Sequence, residues 1–378
     1  MEAAAKLNGT LIKWPGGKGR EIKQIEKMVP AFERYIEPFF GGGAMFFYLR
    51  PRRAMINDIS RDLMDFYRLI KEKNTRFIEY LSAYDRLMAS LLEACARQYK
   101  DTCGVYGKLR DGSIAADELK PYVKTLSDRM LDLLDERSMR LLLVDRERFV
   151  EVLTDNAADK MIRTVGNELS SPYSPDDLKE NLATGFISGM YMYFRDIYND
   201  ILLKRTEEKN EEYRIANFYF IREYCYGSMF RYNKKGEFNI PYGGMSYNRK
   251  RFGSKIEGIY SAETEELFSG TDICCLDFAE FLDGAELTES DFIFLDPPYD
   301  TDFSDYEGRS FDKNDHKRLA ELLKNTRAKF ILIIKNTDYI YSLYEGCFTI
   351  LSFDKQYTYN VRSRNDRRTE HLIITNII

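Results

Sequence analysis

The sequence predicts an α/β protein with a parallel sheet and a mostly helical insertion, and three observations lead to this prediction. Residues 35–60 show strand, glycine-turn, helix, strand and helix patterns in succession, which together make a βαβ unit. Residues 291–377 contain further apolar runs of strand length. The region between these parts has helical periodicity. The two ends are therefore expected to build one sheet domain that the insertion interrupts.

Each element of the sheet domain is marked by an apolar run between turn residues. In the first part we expect a strand over 35–39, a helix over 44–49, a strand over 54–57 and a helix from Ser60. In the second part a helix near 314–324 separates the first two strands. The strands expected in that part are Asp291–Leu295, Lys329–Ile334, Phe348–Ser352 and His371–Ile377. Strands joined through helices favour parallel pairing.

The insertion is predicted to be helical for most of its length. Apolar residues within 77–92 recur three and four positions apart, as in an amphipathic helix. A later helix is marked by Ser174 as its cap and Pro175 at its first position, and it should run to about Arg205. Residues 227–252 are polar, basic and aromatic with glycine turn signals, so we expect a β-hairpin there.

Composition and length exclude several classes of protein. The chain is 44% hydrophobic and 31% charged, as in folded domains, and has no apolar run long enough for a membrane helix. Its beginning lacks a signal-peptide core, so a cytoplasmic protein without membrane contact is expected. Six cysteines without a C-x-x-C pair and only two histidines argue against a metal site and against Ser-His-Asp catalysis.

Charge is distributed unevenly along the chain. The net charge is −5, yet residues 231–255, here called the basic segment, hold seven basic residues against one acid. A second basic stretch, residues 355–368, holds five against one. Either could be a solvated loop. Two such stretches interleaved with aromatic residues in an acidic chain favour a surface that faces phosphates.

One short motif indicates a pocket for a flat ring that carries an amine. Asp296, Pro297, Pro298 and Tyr299 directly follow the expected strand 291–295. The carboxylate and the Pro297 carbonyl can accept hydrogen bonds from an exocyclic amine, and the tyrosine ring can stack on a base. An ordinary corner between a strand and a turn is the alternative interpretation.

The turn after the first strand indicates a nucleoside cofactor. Gly41, Gly42 and Gly43 lack the G-x-G-x-x-G spacing that cradles a pyrophosphate. Asp58 falls at the end of the next strand, where it could accept hydrogen bonds from ribose hydroxyls. A cofactor without phosphates, such as S-adenosylmethionine, therefore fits better than NAD or ATP.

Two further segments carry candidate binding residues. Trp14, the only tryptophan, could form an aromatic wall for the cofactor or simply cover the sheet edge, and Lys18 could lie near the cofactor carboxylate or near DNA. In the basic segment, arginine and asparagine can read base edges, while lysines suit phosphates. The candidate DNA contacts are Arg231, Asn233, Lys235, Asn239, Arg249 and Lys250.

Taken together, five motifs resemble those of the Dam-type DNA adenine N6-methyltransferases, the D12 or alpha class. They are residues 12–18, 37–43, 57–58, 231–243 and 296–299, and they stand in the order seen in that family. The resemblance implies a Rossmann-like S-adenosylmethionine-dependent methyltransferase sheet. It also implies that residues 1–73 and 271–378 form the catalytic domain, and that residues 74–270 are a helical insertion and target-recognition domain.

The family's functional residues carry over onto matching positions of this chain. The resemblance implies that Asp296, Pro297, Pro298 and Tyr299 surround a flipped adenine of double-stranded DNA, whose N6 accepts the methyl group. Asp277 and Phe278 resemble the segment beside the cofactor's adenine ring. The residues implied to bind S-adenosylmethionine are Trp14, Lys18, Glu37, Phe39, Gly41, Gly43, Asp58, Asp277, Phe278 and Asp296.

The chain also departs from the family, which leaves its recognition sequence open. Residues 243–245 are Gly-Gly-Met where Dam enzymes usually carry an Arg-Tyr pair, and Gly227 and Met229 replace residues common in GATC-specific members. The alternatives are methylation of cytosine N4, of an RNA base or of a protein amide, and an inactive DNA-binding protein of the same fold. A cognate restriction endonuclease is a candidate partner, and the oligomeric state does not follow from the sequence.

Overall fold

The computed structural model describes residues 9–15, 22–207, 209–229, 231–250, 252–299, 305–306, 309–356 and 368–377. The chain divides into two compact units, which are described separately. Unit 1 comprises residues 1–72 and 260–378, and unit 2 comprises residues 73–259. Among the described residues, no helix is both long and apolar enough to cross a membrane.

Unit 1 contains a seven-stranded sheet with strand order β3-β2-β1-β4-β7-β9-β8. Its first five strands in this order pair in parallel, whereas β9 is antiparallel to both of its neighbours. A separate two-stranded ribbon is formed by β5 and β6. The strands are β1 Arg34–Glu37, β2 Ala54–Asn57, β3 Thr271–Cys274, β4 Asp291–Leu295, β5 Asp305–Tyr306, β6 Arg309–Ser310, β7 Lys329–Lys335, β8 Thr349–Gln356 and β9 Arg368–Thr375.

Helices cover the sheet of unit 1 and build most of unit 2. In chain order they are α1 Ile22–Ile25, α2 Ala44–Leu49, α3 Arg61–Lys71, α4 Thr75–Arg97, α5 Tyr99–Arg110, α6 Leu119–Leu131, α7 Glu136–Leu142, α8 Arg146–Glu168, α9 Pro175–Leu202, α10 Glu211–Tyr224, α11 Phe252–Ile259, α12 Ala262–Ser269, α13 Phe278–Gly284, α14 Lys313–Asn325 and α15 Asp338–Tyr344.

The α/β fold with a helical insertion is confirmed, and the ends of its elements differ by a few residues from the expected ones. Ser174 caps α9 as predicted, since its hydroxyl accepts a hydrogen bond from the Asp177 amide at 3.1 Å. The insertion was expected to end at Gly270, whereas unit 2 ends at Ile259. The following helix packs within unit 1, where the Phe268 ring lies 5.5 Å from that of Phe46.

The parallel part of the sheet sets the position of the site. Proceeding along the chain, β2 and β3 are added on one side of β1, and β4 and β7 on the other. Such a reversal of strand order opens a crevice at the carboxyl ends of the two central strands. In unit 1 these are β1 and β4, so the residues that follow Glu37 and Leu295 border the crevice.

Candidate functional site

Three carboxyl groups lie where neighbouring parallel strands end. Glu37 is the last residue of β1, Asp58 directly follows β2, and Asp296 directly follows β4. The strands pair in parallel, with Glu37 opposite Ile56 and Ile36 opposite Ile293. Their carboxyl ends therefore meet at one edge of the sheet, as the sequence predicts.

Glu37 is the most buried of these acids, and its exposed fraction is 2%. Burial raises the pKa of its carboxyl well above the ordinary value, and the charges of Asp296 and Asp58 raise it further. The Tyr35 hydroxyl donates a hydrogen bond to its Oε2 at 2.8 Å, which opposes the rise. Among the described residues, Glu37 therefore has the charges of Asp58 and Asp296 nearby and a hydrogen bond from the Tyr35 hydroxyl.

Asp58 ties the glycine turn to the end of β2. Its Oδ2 accepts a hydrogen bond from the Gly41 amide at 2.8 Å, and its Oδ1 accepts one from the Ser60 amide at 3.0 Å. Burial raises the pKa of Asp58, while these backbone donors lower it. Asp58 thus holds the glycine turn through the Gly41 amide, in addition to any contact with a ligand.

Asn57 joins three segments at this edge. Its buried amide group donates to the carbonyls of Pro38 and Leu276, both at 3.1 Å. Its Oδ1 accepts a hydrogen bond from the Leu276 amide at 2.8 Å. The ends of β1 and β2 and the loop after β3 are thereby held in one arrangement.

Trp14 lies against the glycine turn. A β-carbon built on Gly41 would come within 2.8 Å of the indole Cδ1, and one built on Gly42 within 3.2 Å of the Trp14 Cβ. Gly41 and Gly43 have φ angles of 51° and 67°, a conformation that glycine adopts without strain. The contact explains why glycine is needed here, and it brings the predicted aromatic wall to the predicted cofactor turn.

Three aromatic rings, from residues that follow β1, β3 and β6, form a cluster. The rings of Phe39, Phe278 and Phe311 lie 5.4 to 5.5 Å apart. Asp277 caps α13 through the Ala279 amide at 2.9 Å. Phe39 and Phe278, with Asp277 next to it in sequence, are thus close together.

Arg318 holds Asp277 and Phe278 in place and was not predicted from the sequence. Its Nη2 donates to Asp277 Oδ1 at 2.6 Å, and its guanidinium lies 4.8 Å from the centre of the Phe278 ring. It also pairs with Asp315, three residues earlier on α14. Only that local spacing is visible in the sequence. Tyr35 was missed too, although strand alternation places it on the same face as Glu37.

The four residues after β4 have different exposures. Pro297 is buried, whereas Asp296, Pro298 and Tyr299 are half-buried. The Tyr299 ring stands edge-on to the ring of His371 on β9, with centroids 5.3 Å apart. Lys18 and most of the second basic stretch, residues 357–367, lie outside the described residues.

In unit 2, the basic segment reverses the chain direction as predicted, with two isolated antiparallel bridges in place of continuous strands. The bridges join Cys225 to Tyr242 and Tyr232 to Phe238. Pro241 and the glycines limit regular pairing, since proline lacks an amide donor and glycine weakens a strand.

The candidate DNA contacts divide into two groups. Arg231 and Lys235 are exposed, whereas Asn239 is half-buried and its Oδ1 has no hydrogen-bond partner among the described residues. The other three make internal contacts. Asn233 Oδ1 accepts from the amides of Lys235 and Glu237, Arg249 pairs with Glu180, and the Lys250 ammonium lies 3.3 Å from the centre of the Tyr247 ring.

Two exposed apolar side chains precede the basic segment and were not selected from the sequence. The exposed fractions are 54% for Tyr226 and 42% for Met229. Apolar side chains next to cations are suited to wedge between bases. The sequence signal was weak because Tyr226 and Met229 come shortly after α10, a largely buried aromatic helix that ends at Tyr224.

Sequence comparison with known proteins identifies similar methyltransferases, independently of the structure. Type II methyltransferase M.CviBI of Paramecium bursaria Chlorella virus NC1A is 30% identical over 272 residues, covering 68% of this chain and 100% of the relative. Type II methyltransferase M.MjaIII of Methanocaldococcus jannaschii is 28% identical over 354 residues, covering 89% and 87%. The retron Ec67 DNA adenine methylase of Escherichia coli is 33% identical over 214 residues, covering 53% and 72%.

A family model agrees with these relatives. The model for D12 class N6 adenine-specific DNA methyltransferases matches residues 14–127 and 142–359, which include the glycine turn, the basic segment and Asp296. Because the match spans most of the chain, this protein belongs to the D12 class of N6 adenine-specific DNA methyltransferases.

Proposed function

We propose that the sheet edge of unit 1 binds S-adenosylmethionine and that its methyl group is transferred to N6 of an adenine flipped out of duplex DNA. The observation that carries this proposal is the set of three carboxyls, Glu37, Asp58 and Asp296, at the ends of adjoining strands. The charges of Asp58 and Asp296 both raise the pKa of Glu37, so each acts on that carboxyl.

A cationic ligand offsets the repulsion among these groups. S-adenosylmethionine carries a positive sulfonium and an ammonium group, whereas NAD and ATP bring phosphates that would add to the repulsion. The glycine turn gives the same preference, because its Gly41 amide is directed at Asp58 and is not left for a phosphate. The first observation supports a cofactor with a cationic centre, and the second supports a cofactor without phosphate.

The residues along the edge supply suitable partners for each part of this cofactor. We place the methionine end beside Glu37 and the glycine turn, the ribose near Asp58, and the adenine beside Asp277 and Phe278. Trp14, which lies against the glycine turn, would cover this region. When bound, S-adenosylmethionine supplies a methyl group activated by its sulfonium. The protein then has to orient the two reactants and exclude water.

Asp296 and its neighbours are assigned to the target base. The Asp296 carboxylate and the Pro297 carbonyl would accept hydrogen bonds from the adenine amine, which favours a more tetrahedral and more nucleophilic nitrogen. The Tyr299 ring, held edge-on by His371, would stack on the base. When N6 gains the methyl group it would lose one proton through the Asp296 carboxylate to water, and the cofactor would leave as S-adenosylhomocysteine, so no separate histidine base is needed in this arrangement.

Recognition of the DNA is assigned to unit 2. Arg231 and Lys235 are exposed in the basic segment and would contact base edges and phosphates, while Tyr226 would act as the apolar wedge. Arg249 and Lys250, which make internal contacts, are assigned a weaker part in binding. The type II methyltransferase names of two relatives make a cognate restriction endonuclease a candidate partner.

The test measures the methylated base and the part played by Asp296. The full chain, Asp296→Ala and Asp296→Asn are each incubated with S-adenosylmethionine and unmethylated duplex DNA, and the DNA is digested to nucleosides for mass analysis. We expect N6-methyladenine from the unmodified chain. Both variants should lose transfer rate by roughly 10²- to 10⁴-fold while still binding the cofactor in calorimetry.

Asp283→Ala is the matched control, because Asp283 is an exposed carboxylate on α13 of the same unit. It should retain the rate of the unmodified chain. Full transfer by Asp296→Ala would overturn the assignment of Asp296. N4-methylcytosine in place of N6-methyladenine would overturn the choice of base.

A further inference from the structure

Among the described residues, the stretch 238–242 of the basic segment makes isolated bridges at Phe238 and Tyr242 and has no continuous strand beside it. Phe238, Ile240 and Tyr242 are buried, while Asn239 and Pro241 between them are more exposed. This alternation is typical of a strand with one buried face. Its backbone groups nevertheless need partners, because buried amides and carbonyls are almost always hydrogen-bonded.

Helix α9 supplies part of those partners through side chains. The Asn199 amide group donates to the Phe238 carbonyl at 3.0 Å, and its Oδ1 accepts from the Phe238 amide at 2.8 Å. A residue of a neighbouring antiparallel strand would make the same two hydrogen bonds with the backbone amide and carbonyl of Phe238. Asn199 is buried, with an exposed fraction of 6%, so water competes little for these bonds.

A second and a third contact follow along the same helix. The Tyr191 hydroxyl donates to the Ile240 carbonyl at 2.8 Å. Thr184 Oγ1 accepts from the Asn248 amide group at 2.8 Å, and Asn248 Oδ1 accepts from the Tyr242 hydroxyl at 2.9 Å. Asn199, Tyr191 and Thr184 are each about two helical turns apart and share one face of α9.

The order of the contacts shows how the segment runs. Moving toward the start of α9, the partners move forward along the basic segment, from Phe238 to Ile240 to Asn248. The segment therefore lies antiparallel along the helix. Its turn is fixed as well, because Glu237 pairs with Arg205 at 2.8 Å and with the Asn233 amide group at 2.8 Å.

We infer that Asn199 and Tyr191 are positioning residues for DNA sequence recognition: they hold the backbone of residues 238–240 in the place from which the basic segment reads bases. This inference rests on the proposed role of that segment in DNA recognition. It assigns specificity to two buried side chains that do not themselves contact DNA.

Contacts to base edges and contacts to phosphates tolerate different displacements of the protein backbone. Hydrogen bonds to base edges require the reading side chain to be held within about 0.5 Å, and each good pair discriminates against a wrong base. Attraction between lysines and phosphates tolerates larger displacements. A loosened backbone should therefore reduce discrimination between sites more than it reduces DNA binding.

The test compares variants that remove similar bonds in different places. Tyr191→Phe removes only the hydroxyl that holds Ile240. Its control is Tyr213→Phe, since the buried Tyr213 hydroxyl donates to the Leu142 carbonyl, also at 2.8 Å. Asn199→Ala is matched by Asn217→Ala, because the buried Asn217 amide group donates to the Phe194 carbonyl of α9 at 3.0 Å.

Two readouts are used on the full chain. The first is single-molecule sequencing of methylated DNA, which gives the ratio of methylation at the preferred site to methylation at sites that differ by one base. The second is the initial rate at which trypsin cuts after Arg231, Lys234 or Lys235 in the folded protein. The trypsin readout does not depend on methylation.

We expect Tyr191→Phe to lower the discrimination ratio and to raise the trypsin rate by about fivefold each, and Asn199→Ala by on the order of tenfold. The two control variants should match the unmodified chain in both readouts. The affinity for S-adenosylmethionine, which is assigned to unit 1, should not change. Because Tyr191→Phe keeps the ring in place, the test does not depend on Asn199→Ala being able to fold.

The inference is overturned if Tyr191→Phe and Asn199→Ala discriminate between sites as well as their controls do. It is also overturned if they become no more sensitive to trypsin within the basic segment. Failure of the unmodified chain to methylate adenine would instead overturn the proposed function. In that case the trypsin rates still decide whether α9 holds the segment.

Discussion

The sheet edge of unit 1 and the basic segment of unit 2 hold their candidate functional side chains in different ways. At the edge, the carboxyls directly follow parallel strands, and hydrogen bonds such as that from the Gly41 amide to Asp58 join the loops. In the described part of the basic segment, the backbone makes isolated bridges and has no continuous strand partner. Buried side chains of α9, Asn199 and Tyr191, take that place.

This difference corresponds to two different tasks. The edge is built from sheet register, which a change of one side chain alters little, and the proposed cofactor chemistry needs the same geometry at every site. The basic segment depends on a few side-chain bonds. Substituting Asn199 or Tyr191 could therefore move the DNA-reading residues of the basic segment without disturbing the sheet. Such a separation is needed when the recognised DNA sequence varies while the reaction stays the same.

The largest effect at the sheet edge is expected from Glu37→Gln and depends on pH. Burial raises the pKa of Glu37 in the folded protein, so the folded state keeps a proton that the unfolded chain releases from about pH 4.3 upward. Stability should therefore fall as pH rises from that value through the folded-state pKa. Glu37→Gln removes this loss, so its advantage over the unmodified chain should grow by about 1.4 kcal/mol per pH unit within that window.

Thermal unfolding at a series of pH values measures this advantage. Glu33→Gln is the control, because Glu33 is an exposed glutamate just before β1, and its curve should follow that of the unmodified chain. Equal pH dependence in Glu37→Gln and the unmodified chain would show that the Glu37 carboxyl is ionised in the folded protein. The conclusion that burial and the charges of Asp296 and Asp58 raise the pKa of Glu37 would then be wrong.

A smaller effect is expected from Gly41→Ala. The φ angle of 51° is unfavourable for alanine, and the new β-carbon would meet the Trp14 ring at 2.8 Å. Relief of about 1 to 2 kcal/mol of left-handed strain should displace the turn and weaken S-adenosylmethionine binding by about tenfold, as measured by calorimetry. Gly284→Ala is the control, since it meets no atom within 4 Å and should bind normally. Unchanged affinity in Gly41→Ala would separate the glycine turn from the cofactor site.

The sequence predicts the residues of the sheet edge more completely than the contacts of the basic segment, for a physical reason. A strand that ends in Asp296 or a turn that contains Gly41 has a local signature, because periodicity and turn chemistry act over a few residues. Parallel pairing then brings such ends together without further information. Family resemblance added the roles of these residues.

The supporting contacts had no comparable signature. Arg318 meets Asp277 across 41 positions of sequence, and Asn199 meets Phe238 across 39. Nothing near either residue indicates its partner, because the tertiary packing decides it. For the same reason Arg249 appeared as a candidate DNA contact, although its guanidinium is paired with Glu180 of α9.

The division of tasks between the two units is tested most directly by amide hydrogen exchange of the full chain, alone, with S-adenosylmethionine, and with duplex DNA added. S-adenosylmethionine should slow exchange in residues 38–43 and 275–279, whose Gly41 and Leu276 amides donate to Asp58 and Asn57. DNA should slow exchange in the basic segment. Protection of unit 2 by S-adenosylmethionine, with residues 38–43 and 275–279 unchanged, would contradict the account.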